Sequence, residues 1–299
     1  MTSAENPDLR KLVKPAQFSY HRAGDVAEAL ALLERYDGEA KLLAGGQSLV
    51  AMMNFRLARP AALIDVTRIG GLNYLRAGPD GLRIGALTPH RAVETTRDPA
   101  VLDGFGVLPR SARWIGHYPI RVRGTFGGSI AHADAASEWC LLAVLLDARI
   151  VLRGPDGERT VPATEFFLGL YETAAGPGEM ITEIWFPQPA PRAALTEFAQ
   201  RQGDFAIVAA AVSTQVTDGT CRAVRVVLGG VGTRPLLLDT EELAGAPAGA
   251  ATWQAAGELA AAAIDPPSDG HASGDYRKRL AATLVTRALT ESTIGATGA

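Results

Sequence analysis

The sequence predicts an α+β chain in two parts, and three observations carry that expectation. At 299 residues the chain is long enough to bury more than one core. Short strand and helix patterns alternate as far as a turn-rich boundary between Gly176-Pro177-Gly178 and Pro187–Pro191. Beyond it the pattern changes to successive antiparallel strands followed by Ala-rich helices. The expected division is 12–187, itself split near residue 66 into about 12–66 and 67–187, then 192–293, with 294–299 as a disordered tail.

Each element has a local reason. Phe18 to His21 reads as a short strand. Asp25 is a plausible N-cap for a helix whose apolar face is Val26, Ala29, Leu30, Leu32 and Leu33, ended by Asp37-Gly38. Lys41 to Ala44 is a strand that runs into Gly45-Gly46, with a short helix over Ser48 to Arg56 and a further strand over Ala62 to Val66. Tyr74 to Ala86 reads as a hairpin turning at Gly78-Pro79-Asp80-Gly81. Pro89 opens one helix, and a second is expected from about Pro99 to Ile115. Ala135 to Leu146 is apolar enough to be a central core helix, and strand Ala148 to Leu152 leads into Gly154-Pro155-Asp156-Gly157. In the second part, strands are expected over Thr196–Arg201, Ile207–Thr217 and Ala223–Leu228, and helices over Thr252–Ala263 and Tyr276–Glu291. Ala244 to Ala251 reads as a low-complexity linker, and Asp265 to Gly274 as a long, exposed, mobile loop.

Composition removes several function classes. Hydrophobic residues at 47% and charged residues at 20% describe an ordinary globular protein. A net charge of −3 argues against a nucleic-acid surface. No stretch approaches the ~20 apolar residues of a membrane span, and the polar start from Met1 to Leu9 lacks a secretory apolar region, so the cytoplasm is the expected location. Of the two cysteines, Cys140 and Cys221, both lie in apolar runs and read as buried thiols. An iron–sulfur cluster needs four thiolates and cannot be held by this chain alone. The five histidines show no metal-ligand spacing, so no metal site is expected.

Chemistry concentrates in two glycine-centred turns, Leu42-Leu43-Ala44-Gly45-Gly46-Gln47-Ser48-Leu49 and Thr125-Phe126-Gly127-Gly128-Ser129-Ile130. Glycine pairs let the backbone bend tightly and let a ligand approach the main chain, and successive N–H groups there form an anion site. Two such turns suggest a diphosphate gripped from both sides. Neither is a G-x-G-x-x-G fingerprint or a P-loop. Downstream, Asp134 or Ser137 can cap the following helix; Glu138 in its first turn suits the dipole or could accept from a sugar hydroxyl. His132 and Asp134 form a weak acid–base pair at best, since no third group orients them, and no Gly-x-Ser-x-Gly elbow is present.

On four motifs the chain resembles the FAD-binding medium subunit of molybdenum hydroxylases, the family of xanthine dehydrogenase and aerobic carbon monoxide dehydrogenase. These are Leu43-Ala-Gly-Gly-Gln-Ser-Leu49, Arg123-Gly-Thr-Phe-Gly-Gly-Ser-Ile-Ala-His-Ala-Asp134, Arg201-Gln-Gly-Asp-Phe-Ala206 and Gly274-Asp-Tyr-Arg-Lys-Arg-Leu280, in the family's order over nearly the whole length. The resemblance implies a two-part FAD domain of the vanillyl-alcohol-oxidase or p-cresol-methylhydroxylase (PCMH) type, then a smaller α+β domain like that of the carbon monoxide dehydrogenase flavoprotein. It implies FAD held noncovalently, with Leu42 to Leu49 around the diphosphate and Thr125 to Ser129 (Phe126, Gly127 and Gly128 among them) on the other side. It places Asp134 in the second motif, Glu138 at the adenosine, Ile115 and Ile181 along the cofactor, and Phe205 close to the flavin ring. Departures from the family are Ser129 for Asn, Glu138 for Asp, Arg121-Val-Arg123 for Arg-Asn-Arg, and Ala199 where xanthine dehydrogenase has lysine. The implied partners are a small subunit with [2Fe-2S] clusters and a large subunit with the molybdenum cofactor, in a dimer of heterotrimers. No residue of this chain is expected to be catalytic by itself. The alternatives are a self-contained flavin oxidase or reductase on the same fold, and a non-enzymatic nucleotide-binding module.

Overall fold

A computed structural model describes residues 14–294. Of the tail expected over 294–299, Ile294 is instead the last residue of a helix that begins at Gly274, and 295–299 lie outside the described residues, as does Met1 to Leu9.

The first unit is a three-stranded parallel sheet, β1 (Ser19–Arg22), β3 (Ala62–Asp65) and β2 (Ala40–Leu43), with β3 in the centre and buried throughout. Helix α1 (Val26–Arg35) covers it, and Asp25 caps α1 as expected by accepting from the Glu28 amide at 2.8 Å. Helix α2 (Leu49–Asn54) begins directly after the first glycine turn.

The second unit is a five-stranded antiparallel sheet in the order β4 (Leu75–Gly78), β5 (Gly81–Gly85), β10 (Met180–Phe186), β6 (Arg149–Gly154) and β7 (Gly157–Pro162). The central strand β10 was not foreseen, because it sits between two Gly/Pro-rich stretches that read together as one boundary. Helices α3 (His90–Glu94), α4 (Pro99–Phe105), α5 (Val107–Ala112), α6 (Tyr118–Arg123), α7 (Phe126–His132) and α8 (Glu138–Leu145) follow β5. The single helix expected over Pro99–Ile115 is two, α4 and α5. Pro109 has no N–H to give to the Phe105 carbonyl and its ring crowds that carbonyl, so the helix breaks at Gly106. Helix α9 (Ala163–Phe166) and a small hairpin of β8 (Phe167–Gly169) and β9 (Glu172–Thr173) complete this part.

The third sheet is antiparallel, β11 (Ala193–Phe198), β12 (Val208–Thr217), β13 (Thr220–Gly229) and β14 (Leu236–Leu237). Helices α10 (Ala250–Ala262) and α11 (Gly274–Ile294) pack on one face of it. The other face meets α8: Ala193, Leu195, Ala209, Ala211 and Val227 join the core built around that helix, while Ala194, Val208, Ala210, Val212 and Val226 join the α10/α11 core. Alternation along the strands thus splits one sheet between two cores. Residues 244–248 are not a loose linker. They are zipped onto the β12–β13 hairpin by Cys221 N–H to Ala246, Gly245 N–H to Cys221 and Ala248 N–H to Gly219 carbonyls. The 265–274 loop is exposed but tied: Asp269 accepts from the His271 and Ala272 amides and from Arg277 Nη2 at 2.7 Å.

Candidate functional site

A cavity of about 570 Å³ runs between the first sheet and the second, and residues of the loop after β11 close one side. Leu42 to Leu49 form one wall as a continuous stretch. Strands β2 and β3 end in register at Leu43 and Asp65, and the chain leaves the sheet there and turns along the cavity before α2 starts. Gly46 takes φ +71°, a left-handed conformation that a side chain disfavours. Among the described residues, the amides of Gly45, Gly46, Gln47, Ser48 and Leu49 make no hydrogen bond within the chain, while the Gln47 side chain is held on the Gly45 carbonyl at 2.7 Å. Five successive unpaired donors in a bend make a concave surface of positive potential, suited to a diphosphate.

Gly45 has a different task from the one its motif suggests. A Cβ there would stand 2.2 Å from the Arg123 carbonyl oxygen and 2.6 Å from Gly124 Cα. The residue is small because the two glycine segments meet backbone to backbone, which clamps the two sheets around the cavity.

The second glycine segment is not a turn with open amides. Gly127 and Gly128 lie in the first turn of α7, and every donor there is used: Phe126 N–H on Thr88, Gly127 N–H on Ala86, Gly128 N–H on Thr125 Oγ1 and Ser129 N–H on the Thr125 carbonyl. Gly127 is required because a Cβ would strike Ala86 at 2.6 Å. Thr125, Gly127, Gly128 and Ser129 still line the cavity, so this wall offers shape and the Ser129 hydroxyl, which is hydrogen-bonded to Ser137 Oγ at 2.8 Å. Phe126 does not line it. Its side chain is fully buried in the core and stacks on Trp139 at 4.5 Å, because the first residue of α7 points away from the cavity.

The loop between α7 and α8 forms one end. Helix α8 starts at Glu138 and not at Ala135, since Asp134 spends its Oδ1 on the Ala136 amide and Ser137 occupies the cap position with its hydroxyl turned to Ser129. Asp134 and Glu138 both line the cavity. Burial, with the Glu197 charge beside it, pushes the Glu138 carboxyl well above the ordinary carboxylate range. His132 and Asp134 are not an acid–base pair in any productive geometry: the imidazole stacks on Tyr171 at 4.8 Å, and burial lowers its pKa against the pull of Asp134. Ile115 and Ile181 give apolar walls, and Phe205, 67% exposed, stands at the rim. The loop of Phe205 is seated by Gly203, whose positive φ and missing Cβ allow it to lie against the His117 ring.

Several lining residues had no sequence signal. His90 is buried, accepts from Trp139 Nε1 at Nδ1 (2.9 Å), and therefore carries its proton on Nε2; burial and then Arg121 lower its pKa to about 4, keeping it neutral. Tyr171, in a left-handed backbone conformation, and Glu179, held by Arg159 and the Gly176 amide, reach the site from the β8–β10 region. Among the described residues no group of three or more His, Cys, Asp or Glu side chains could hold a metal ion. None of the helices described is long and apolar enough to cross a membrane. A cavity lined by an amide nest, by apolar side chains and by the acids Asp134 and Glu138 fits a dinucleotide carrying a planar ring system.

The comparisons with known proteins agree with this architecture. Residues 16–189 match the model for the FAD binding domain in molybdopterin dehydrogenase, and residues 193–292 that for the CO dehydrogenase flavoprotein C-terminal domain. The chain therefore carries an FAD-binding domain followed by a smaller α+β domain. It belongs to the family of FAD-binding medium subunits of molybdopterin and xanthine dehydrogenases, of the carbon monoxide dehydrogenase type. It is 38% identical over 285 residues to the 6-hydroxypseudooxynicotine dehydrogenase complex subunit alpha of Paenarthrobacter nicotinovorans, covering 94% of this chain and 96% of that one. The carbon monoxide dehydrogenase medium chain of Hydrogenophaga pseudoflava is 36% identical, with 92% and 96% coverage. Among solved structures, quinoline 2-oxidoreductase from Pseudomonas putida 86 contains a chain of TM-score 0.90 at 34% identity, covering 95% of this chain and all of that chain, 100%.

Proposed function

We propose that the cavity holds FAD noncovalently and that this chain is the electron outlet of a larger molybdenum-containing hydroxylase or dehydrogenase. The observation that carries the reading is the run of unpaired amides over Gly45 to Leu49, lining a cavity between both sheets. Bound FAD would supply one-electron uptake and two-electron storage.

The chain's own residues bind, orient and shield. The amide nest takes the diphosphate, with Thr125, Gly127, Gly128 and Ser129 closing the opposite wall. Asp134 and Glu138 face the adenosine end. Leu42, Leu43, Ala44, Ile115 and Ile181 pack along the ring systems, and Phe205 covers the rim. Neutral His90 keeps a positive charge away from the inner wall at working pH. With two cysteines the chain cannot supply the four thiolates of an iron–sulfur cluster, so in this reading electrons arrive from clusters held elsewhere. The proposed partners are a [2Fe-2S] small subunit and a molybdenum-cofactor large subunit, in a dimer of heterotrimers. Hydroxylation of the substrate belongs to the large subunit.

Ser48→Asp tests the reading. It adds a negative charge beside the diphosphate without disturbing the Gly45 contact, and flavin content per chain is expected to fall at least about tenfold. A variant that keeps its full visible flavin absorbance would overturn the proposed grip. Acid precipitation of the native complex should leave the flavin in the supernatant.

A further inference from the structure

A second acid stands behind Glu138, with no counter-charge among the described residues. Glu197 lies on β11, directly opposite Ala209, which in turn lies opposite Gly229 on β13. Residues paired across antiparallel strands share a face. That face is the one against α8, because a Cβ on Gly229 would meet the Ala135 carbonyl and the Leu141 side chain at 2.8 Å. Leu195 and Ala193, two and four residues before Glu197, lie in the same core. Glu197 is therefore a charged residue on an otherwise apolar face, aimed at the start of α8 where Glu138 sits. Its Oε2 is buried and has no hydrogen-bond partner among the described residues.

Among the described residues, the surrounding charged groups supply no cation. Asp134 adds a further negative charge. Tyr171 and His132 engage Asp134 and each other. On α5, Arg110 is committed to the Ala193 carbonyl, and Arg225 on β13 binds the far end of α8 at Val144, Leu145 and Asp147. Two adjacent carboxylates in so dry a setting cannot both stay ionised, and a shared proton satisfies the orphaned oxygen.

We propose that Glu138 and Glu197 act as one proton-sharing carboxyl pair, in which protonated Glu197 donates to Glu138 and turns its other oxygen into the cavity to accept from a hydroxyl of the bound nucleotide. Glu197 is then a positioning residue: it reaches no ligand itself. The inference rests on the cavity holding FAD. Burial raises both carboxyls, and the Glu197 charge raises Glu138 further, so a proton is held at neutral pH and lost on the alkaline side. Loss of it leaves two facing anions, and Glu138 is driven off its acceptor position.

The test uses the chain with its co-purifying subunits and titrates FAD into flavin-stripped protein across about pH 7 to about pH 9.5. In the native protein the dissociation constant is expected to rise about tenfold over that range. Glu197→Gln keeps a donor that cannot ionise, and should bind as tightly at neutral pH with a flat profile. Glu197→Ala removes the donor and should bind about tenfold more weakly already at neutral pH. Infrared spectra give a readout independent of flavin: the native protein should show a protonated carboxylic acid at neutral pH that Glu197→Gln lacks. Flavin bound with parallel pH profiles in native and Gln proteins, or no such acid in the infrared, would overturn the pair and leave the FAD reading standing. Failure to bind FAD at any pH would overturn both.

Discussion

Glycines that look alike in the sequence do unlike things in the molecule. Gly45 closes a main-chain contact with Arg123, Gly127 one with Ala86, and Gly46 supplies a bend. Gly45→Ala should therefore cost stability and flavin together, whereas Gly70→Ala, where a Cβ meets nothing within 4 Å, should leave the unfolding midpoint and the flavin content unchanged. Phe126 separates the two roles in the other direction. Truncating it to Ala empties space beside Trp139 and is expected to cost about 3–5 kcal/mol by chemical denaturation. Two residue-level expectations were thus half legible. The motif announced that main chain would come close to something, but could not say whether that something was a ligand or another strand of backbone. Glu197 was not legible at all, because a lone Glu in a strand pattern reads as its solvent face until the sheet is seen to have none.

At the scale of elements, most helices and strands followed from capping, turn and periodicity signals. The exceptions have physical causes. β10 hid between Gly/Pro clusters, and Pro109 broke a helix whose apolar spacing ran on past it. The short α6 gave no amphipathic signal, since none of its residues is buried. The tether of the 265–274 loop had no sequence signal, because it comes from Arg277 on the next helix. That guanidinium also binds the Ile207 and Gly230 carbonyls, at 2.5 and 2.8 Å, so one side chain fastens loop, strand and helix. Arg277→Met should make limited proteolysis cut within 265–274 at a rate well above that of the native chain, and Arg277→Lys should restore only part of the protection.

For the whole molecule, opposed carboxyl shifts set a pH window. Hydrogen bonds from Arg159 hold Glu179 below its ordinary value, so its contribution is present above the unfolded pKa and fades as pH falls through the folded one. Glu138 and Glu197 are raised, so their contribution is present below the unfolded pKa and is lost as pH climbs through the folded values. The melting temperature should pass through a maximum between these limits. Glu197→Gln should extend only the alkaline shoulder, and Arg159→Met should erode only the acid one; scanning calorimetry at stepped pH distinguishes the two.

Helix α8 lies between the second sheet and the third, and every residue from Trp139 to Leu145 is buried. A gene cut after residue 190 would release a product with a greasy flank that nothing in the remainder can hide. Such a fragment should pellet or enter inclusion bodies, while the same fragment supplied with its missing half on a second polypeptide should come back into solution. On this expectation the two recognisable sequence modules fold only together, and shuffling one without the other should fail on solubility before chemistry is ever tested.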